Sequence, residues 1–468
     1  MDATLRFLGA AQNVTGSRYL VDINGSRILV DSGLYQERDM LARNWDPFPV
    51  PPDSIDAVLL THAHLDHSGF LPKLVKDGFA GRIYCTAATA EIAEIALLDS
   101  AHLMVEDAEY KRRRHSEEKR KGPHPEIPLY TEEDAKDSFP LFSTCKYDEP
   151  LEITQGLHAT FRDAGHILGS AHIQLDFEVS GKPRTLAFSG DIGRWNKPIL
   201  RGPTLFKDLD YLVMESTYGD RLHEDPQDID SIVEDIVQAT KRRGGNVVIP
   251  SFAIERAQDV LYCLNGLLLA DRIPHVMVFI DSPMAERVTE VFRHHRELFD
   301  EETRNLINQG HSPFRFPSLK MVQSVHDSKA INYIRGTVIV IAGSGMCTGG
   351  RIKHHLVNNI SRPESTVLFV GYQAEGTLGR EIVKGAKEVR LFGKISPVKA
   401  HIAQIHGFSA HADRDELLRW VSGLKKPPRH VFVTHGEPEA ARKFGDLLHT
   451  QKGWEVSIPT YGDTAKLD

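Results

Sequence analysis

The stretch VLLTHAHLDHSGFLPKL, Val58–Leu74, places His62, His64, Asp66 and His67 within six residues, directly after an apolar run. An apolar run that short, bounded by polar residues, reads as a buried strand. Zinc accepts neutral imidazole nitrogen and carboxylate oxygen, and this segment offers four such groups. A strand end is rigid, and a loop folding back from it lets neighbouring side chains diverge around two ions. The alternative is a surface cluster of histidines, and it weakens as the rest of the chain is read.

Further strand ends carry the same residue types. DAGHILGSAH (163–172) sets His166 between small-residue turns. LAFSGDIG (186–193) puts Asp191 behind an apolar strand and a glycine, and HVFVTHGEP (430–438) puts His435 at the end of VFVT. Together these groups supply histidines for each of two ions and one carboxylate to bridge them. Asp31 in ILVDSG ends another strand and reads as a carboxylate that orients a ligand imidazole from behind.

Outward from these points the first sixty residues are short strands separated by turn residues. A helix is expected over Ser68–Asp77, stopped by Gly78, and one or two helices over 86–121. The run KRRRHSEEKRK (111–121) mixes signs and reads as a solvated helix face. The pairs His294–His295 and His354–His355 read as surface or groove residues. Beyond residue 220 the rhythm changes. GGNVVIPSF, HVMVFIDS, GTVIVIAGSG and STVLFVGYQ are each followed by a helical pattern, which argues for a parallel α/β sheet. From about residue 400 short strands return. An α/β domain inserted into a sheet-rich one explains this order, with bounds at 1–218, 219–399 and 400–468.

The chain has 468 residues and a formal net charge of −8, so a nucleic-acid partner has to be held by a local groove and by metal. Cys85, Cys145, Cys263 and Cys347 are widely spaced, which indicates neither a disulfide framework nor a cysteine zinc site. The opening residues lack the pattern of a signal peptide, and no apolar run is long enough for a membrane span. The expected setting is the cytoplasm, with no membrane partner.

The ordered series LVDSG, THAHLDHSG, GHILGSAH and FSGD resembles the metallo-β-lactamase hydrolase superfamily, and ESTYGDR, GFSAHAD and VTHGE resemble the further motifs of its β-CASP branch, which processes nucleic acids. The resemblance implies an αββα sandwich with an inserted parallel-sheet α/β domain that clamps nucleic acid against the metals. It implies two Zn2+ per chain. His62, His64 and His166 would hold one, and Asp66, His67 and His435 the other, with Asp191 bridging. Glu215 and His411 would be a pair outside the ligand set, His411 as proton donor and Glu215 fixing its tautomer. With the ligand Asp66 they are the expected catalytic residues. Asp31 is expected behind the ligands.

The resemblance further implies a ribonuclease acting on single-stranded RNA by a two-metal hydroxide mechanism, leaving 5′-phosphate and 3′-hydroxyl ends. It is expected to be an endonuclease, with exonuclease action left open. A homodimer and an RNA-processing complex are the protein partners to look for. Arg256 in SFAIERAQD, Ser344 and Gly345 in IAGSGMCTGGR, and the backbone of Ser409 and Ala410 are candidate substrate contacts. The competing readings are a DNA nuclease of the same fold and an inactive scaffold subunit. The second is disfavoured because every expected ligand is present.

Overall fold

The computed structural model describes residues 3–118, 126–223, 229–374, 376–405 and 407–468. The chain divides into two units. One comprises 1–197, 201–222 and 411–468; the other comprises 198–200 and 223–410.

In the first unit the described strands build two seven-stranded sheets. One runs Thr464–Leu467, Ala3–Phe7, Tyr19–Ile23, Ser26–Val30, Ala57–Leu59, Arg82–Thr86, Phe142–Cys145. The other runs Val456–Ser457, His430–Thr434, Tyr211–Glu215, Lys182–Phe188, Ala171–Val179, Leu157–Asp163, Leu151–Thr154. Alternating residues of both sheets interdigitate: Leu5, Val21 and Leu59 from the first meet Phe161, Leu175 and Phe188 from the second. That burial is the main term holding the sheets face to face. Helices cover the outer faces. Ala87–Glu118 packs on the first sheet, while Arg414–Val421 and Pro438–Lys452 bury Trp420, Phe444 and Leu448 against the second. The result is the αββα sandwich.

Both covering helices of the second sheet have clear punctuation. Asp413 caps the first with a capping box to Glu416. The second starts with Pro438 and stops at the left-handed Gly453. The helix expected over Ser68–Asp77 is instead a turn of helix at Leu65–Ser68 and a second at Leu71–Lys76. Pro72 fits the first turn of the second piece, where its missing N–H is harmless. The 87–118 stretch is one helix; residues 119–121 of the mixed-charge run lie outside the described residues.

The second unit holds a parallel six-stranded sheet: Leu319–Met321, Met277–Asp281, Val338–Ala342, Val247–Pro250, Thr366–Phe369, His401–Gln404. Its central strands are buried on both faces, so they read as unbroken apolar runs. The strand His401–Gln404 belongs to this sheet, and a two-stranded hairpin, Glu388–Leu391 with Lys394–Pro397, precedes it. His355 is not on the surface. It is buried, with Nε2 2.6 Å from Asp281, which also receives Arg351 Nη1 at 2.6 Å.

Candidate metal centre

Thr61–His64 leaves the buried strand Ala57–Leu59, and the helical turn that follows presents Asp66 and His67. Backbone bonds hold this loop from several sides. Ser32 N–H donates to the His67 carbonyl at 2.7 Å and Ala171 N–H to the Thr61 carbonyl at 2.8 Å. Gly33 is required by close approach, because a Cβ there would lie 1.6 Å from the Asp66 carbonyl oxygen. Asp31 takes a left-handed φ of 59°, turning its carboxylate under the loop. It accepts from Thr61 N–H at 2.8 Å and from Thr61 Oγ1 at 2.9 Å, and meets His67 Nδ1 at 2.6 Å. That leaves His67 Nε2 as the outward-facing nitrogen.

His166 is steadied by Ser170 Oγ, which accepts its backbone N–H at 3.1 Å. Gly193 N–H donates to the Ala164 carbonyl at 2.9 Å, tying the His166 loop to the Asp191 loop. His435 follows the strand His430–Thr434 with a left-handed φ of 47°. Its N–H donates to the Ala10 carbonyl at 2.7 Å, and its carbonyl accepts Ser216 N–H at 3.1 Å. Thr217 Oγ1 stands 3.1 Å from His435 Nδ1, again leaving Nε2 outward.

These side chains converge into two groups with the arrangement of metal ligands: His62, His64, His166 and Asp191; and Asp66, His67 and His435. Asp191 touches both. Its Oδ2 lies 3.4 Å from His62 Nε2 and 3.4 Å from His166 Nε2. Its Oδ1 lies 3.3 Å from His67 Nε2 and 3.5 Å from His435 Nε2. Asp66 completes the second group, 3.6 Å from His435 Nε2.

The sequence comparisons agree with this geometry. Family profiles match residues 13–217 (metallo-beta-lactamase superfamily), 257–382 (Beta-Casp domain) and 395–459 (Zn-dependent metallo-hydrolase RNA specificity domain). A protein named Ribonuclease TTHA0252, from Thermus thermophilus, is 40% identical over 97% of this chain and 98% of its own length. The chain belongs to the β-CASP branch of the metallo-β-lactamase superfamily. It is therefore a metal-dependent hydrolase. An RNase J-like protein from Methanocaldococcus jannaschii is 30% identical over 98% of this chain and 97% of its own. A transcription termination factor, FttA, from Methanosarcina mazei is 31% identical over 98% of this chain and 71% of its own. The crystal structure of a protein of unknown function from Enterococcus faecalis covers the whole chain with a TM-score of 0.56 at 12% identity, a likeness of fold alone.

The electrostatics of this β-CASP centre divide the imidazoles. Burial disfavours the charged form of His62, bringing it down to about 4, and of His64, to about 3; His166 falls as well. For His67 and His435 burial acts the same way, but Asp191 with Asp31 or Asp66 outweighs it and raises both. His411 lies beside the candidate ligands, 23% exposed, with Nδ1 3.5 Å from Glu215 Oε1 and 3.9 Å from Asp191 Oδ2. Burial opposes its charge, yet Glu215 and Asp191 push it up to about 9. Glu215 is fixed in turn: Oε1 accepts Ile192 N–H at 2.6 Å.

Arg256 begins the helix Arg256–Leu269 in the second unit. Ser344 and Gly345 follow the strand Val338–Ala342, and the Ser344 hydroxyl accepts Thr348 N–H at 3.0 Å within its own loop. Ser409 is half-buried and Ala410 buried, after the strand His401–Gln404. Several residues behind the ligands escaped the sequence reading. Besides Thr61 and Thr217, buried His172 accepts the Trp420 indole N–H on Nε2 at 3.0 Å. Its Nδ1 meets the Ser189 carbonyl, two residues before Asp191, at 2.5 Å. Ser189 Oγ accepts Glu215 N–H at 3.0 Å, so this chain of contacts steadies both Asp191 and Glu215.

Proposed function

We propose that the chain is a zinc-dependent ribonuclease that cuts single-stranded RNA internally and leaves 5′-phosphate and 3′-hydroxyl ends. The observation that carries the reading is the division of Asp191 between two imidazole groups, one carboxylate oxygen toward each. The full-length likeness to a protein named ribonuclease and the match to an RNA specificity domain support RNA as the substrate class.

The donor set fits two zinc ions. His67 Nε2 faces His435 Nε2 at 3.0 Å, and His64 Nδ1 faces His62 and His166 Nε2 at 3.1 and 3.2 Å. Asp191 Oδ1 is buried without a hydrogen-bond partner among the described residues. Such crowding of lone pairs around an orphaned oxygen is what a cation relieves. His62, His64 and His166 would hold one ion, Asp66, His67 and His435 the other, and Asp191 both. When bound, the pair supplies a nucleophile at neutral pH and neutralises charge on the phosphate.

The chain's own groups do the rest. Asp31 and Thr217 each engage the Nδ1 of a ligand imidazole and aim its Nε2. His411, held protonated by Glu215, donates its Nε2 proton to the departing ribose oxygen. Arg256, Ser344, Gly345 and the backbone at Ser409 and Ala410 are proposed to contact RNA phosphates. The four cysteines form no disulfide, which suits a cytoplasmic setting. Among the described residues no helix is long and apolar enough to cross a membrane.

The test is elemental analysis combined with mapping of product ends on matched RNA and DNA strands. Two zincs per chain with 5′-phosphate RNA ends is the expected result. Ends carrying 2′,3′-cyclic phosphate would mean that the RNA's own 2′-hydroxyl is the nucleophile. Equal cutting of the DNA strand would make the enzyme a general nuclease.

A further inference from the structure

The hairpin Glu388–Leu391/Lys394–Pro397 in the second unit carries charge that nothing in the described chain neutralises. Its inner face is ordinary: Val389 and Leu391 are buried in that unit's core. The charge around it is not. Lys387, Arg390, Lys394 and Lys399 are all exposed, Arg390 opposite Ile395 on the outer face and Lys394 opposite Leu391 beside the turn, and the stretch 387–399 has one acidic residue, Glu388, against them. None of the four cations lies within ion-pair distance of a carboxylate among the described residues. In a chain with net charge −8 the general field repels a polyanion. A local cluster of unneutralised cations is where one gains most by binding.

The apolar groups in this cluster narrow the occupant. Phe392 is 56% exposed and Ile395 59% exposed. Phe392 and Gly393 form the two-residue turn, with φ of 47° and 81°. That turn normally takes Asn, Asp or Gly at its first position; a bulky aromatic there is sterically disfavoured. The disfavoured choice places a ring at the hairpin tip. The ring lies 4.6 Å from the His354 ring at an interplanar angle of 31°, and the Lys353 ammonium lies 5.7 Å from its centroid. An acidic peptide would need the cations but not the ring. A duplex would need the cations but hides its bases. A single strand uses both, with phosphates on the cations and an unstacked base on the aromatic face.

We propose that this hairpin is a second contact for single-stranded RNA, one nucleobase stacking on Phe392 and flanking phosphates lying on Arg390 and Lys394. The proposal rests on the ribonuclease reading for the identity of the strand, and it assigns binding to residues other than the candidate metal ligands.

The experiment measures fluorescence anisotropy of labelled oligoadenylate with zinc-loaded, full-length protein in a His411→Ala background, so that the strand survives. Phe392→Ala should weaken binding roughly 5- to 100-fold, and Phe392→Trp should retain it. Arg390→Gln with Lys394→Gln should lower the slope of log K against log salt by about 1.4, at roughly 0.7 per lost phosphate contact on a single strand. With His411 intact, the same hairpin variants should hydrolyse bis(4-nitrophenyl) phosphate at the wild-type rate and cut long RNA with raised KM and unchanged kcat. The proposal falls if these variants bind the strand as wild type does, or if they lose duplex RNA or polyglutamate equally. It also falls if sedimentation shows them breaking a dimer, which would give the face to a second copy. RNA that binds through the hairpin but is never cut would sink the ribonuclease reading and leave this one standing. RNA cut with indifference to the hairpin would do the reverse.

Discussion

Replacing His411 by alanine tests the assignment of a proton donor outside the ligand set. The structure gives the expected size of its pH signature. At 3.5 Å from Glu215 Oε1, a unit charge on the imidazole interacts with the carboxylate by about 1.2 kcal/mol at the dielectric of water and about 4.7 kcal/mol at an effective dielectric of about 20. At about 1.36 kcal/mol per unit, Glu215 alone raises His411 by roughly 1 to 3.5 units. A zinc ion would draw off the help from Asp191 but not that from Glu215. A proton donor works only while protonated, so wild-type activity should persist to alkaline pH and fall as pH rises through the His411 pKa. Glu215→Gln should move that fall down by about 1 to 3 pH units. His411→Ala should keep its metal and lose roughly 100- to 10,000-fold in kcat, about 3 to 5 kcal/mol. The loss should shrink on a nitrophenyl ester, whose leaving group departs without a proton. The assay is kcat against pH on RNA and on the ester, with metal content of each variant. A His411→Ala protein that has lost an ion, or is equally impaired on both substrates, would refute the donor role.

Three further outcomes are expected. His435→Ala should lower zinc content and activity together, checked by elemental analysis beside the rate, because its Nε2 faces both Asp66 and Asp191. Asp31→Asn keeps the shape but removes the carboxylate from His67 Nδ1, and zinc affinity by competition with a chelator should fall about 10- to 100-fold. His172 is pushed down by burial to about 4, so the unfolded chain binds a proton that the folded chain refuses between its ordinary value near 6.5 and that figure. The stability it contributes is present above pH 6.5 and is lost as pH falls toward 4. Urea unfolding at pH 7 and near pH 4 should therefore show His172→Phe losing up to about 3 kcal/mol less than wild type over that interval.

How much of this was legible depends on what each feature owes to distant contacts. The candidate ligands at strand ends stood out because an apolar run with His or Asp one to three residues beyond it is a local pattern: AVLLTH, LAFSGD and VFVTH each show it. The inserted sheet was legible for the same reason, its central strands being buried on both faces. The edge strand His401–Gln404 was not, because an edge needs little apolar surface and HIAQ has one large apolar residue, Ile402. Leu319–Met321 is another edge, three residues long. The hairpin 388–397 has a two-residue turn beginning with Phe392, outside the usual turn chemistry. Behind the ligands the obstacle is different. Thr61, Thr217 and Ser189 are common residues whose roles arise from partners far along the chain, as with Thr217 and His435. His172 looked like a continuation of GSAH; only its Trp420 and Ser189 contacts set it apart. His355 was misplaced on the surface because the Asp281 carboxylate that satisfies it is 74 residues away.

The two candidate ligand groups have opposite proton preferences, and on the proposed two-zinc reading that sets the order in which metal should leave. In the absence of zinc, His62, His64 and His166 are kept neutral by burial well below pH 6.5, so they are in the ligating form at neutral and mildly acidic pH. His67 and His435 are raised by the carboxylates around them, so zinc there must displace protons that the site itself favours. Acidification therefore opposes the second group first. On titration from pH 7.5 to 5 under a weak chelator, one zinc should leave from Asp66, His67 and His435 while His62, His64 and His166 still hold theirs. Loading at neutral pH should release protons mainly in the step that fills the second group, read by calorimetry in buffers of different ionisation enthalpy. The fold should survive both steps, because the ligand loops are fixed by backbone bonds such as His435 N–H to Ala10 and Ala171 N–H to Thr61. Simultaneous loss of both ions, or emptying of the His62 group first, would show that Asp191 couples the two sites more strongly than their separate proton affinities divide them.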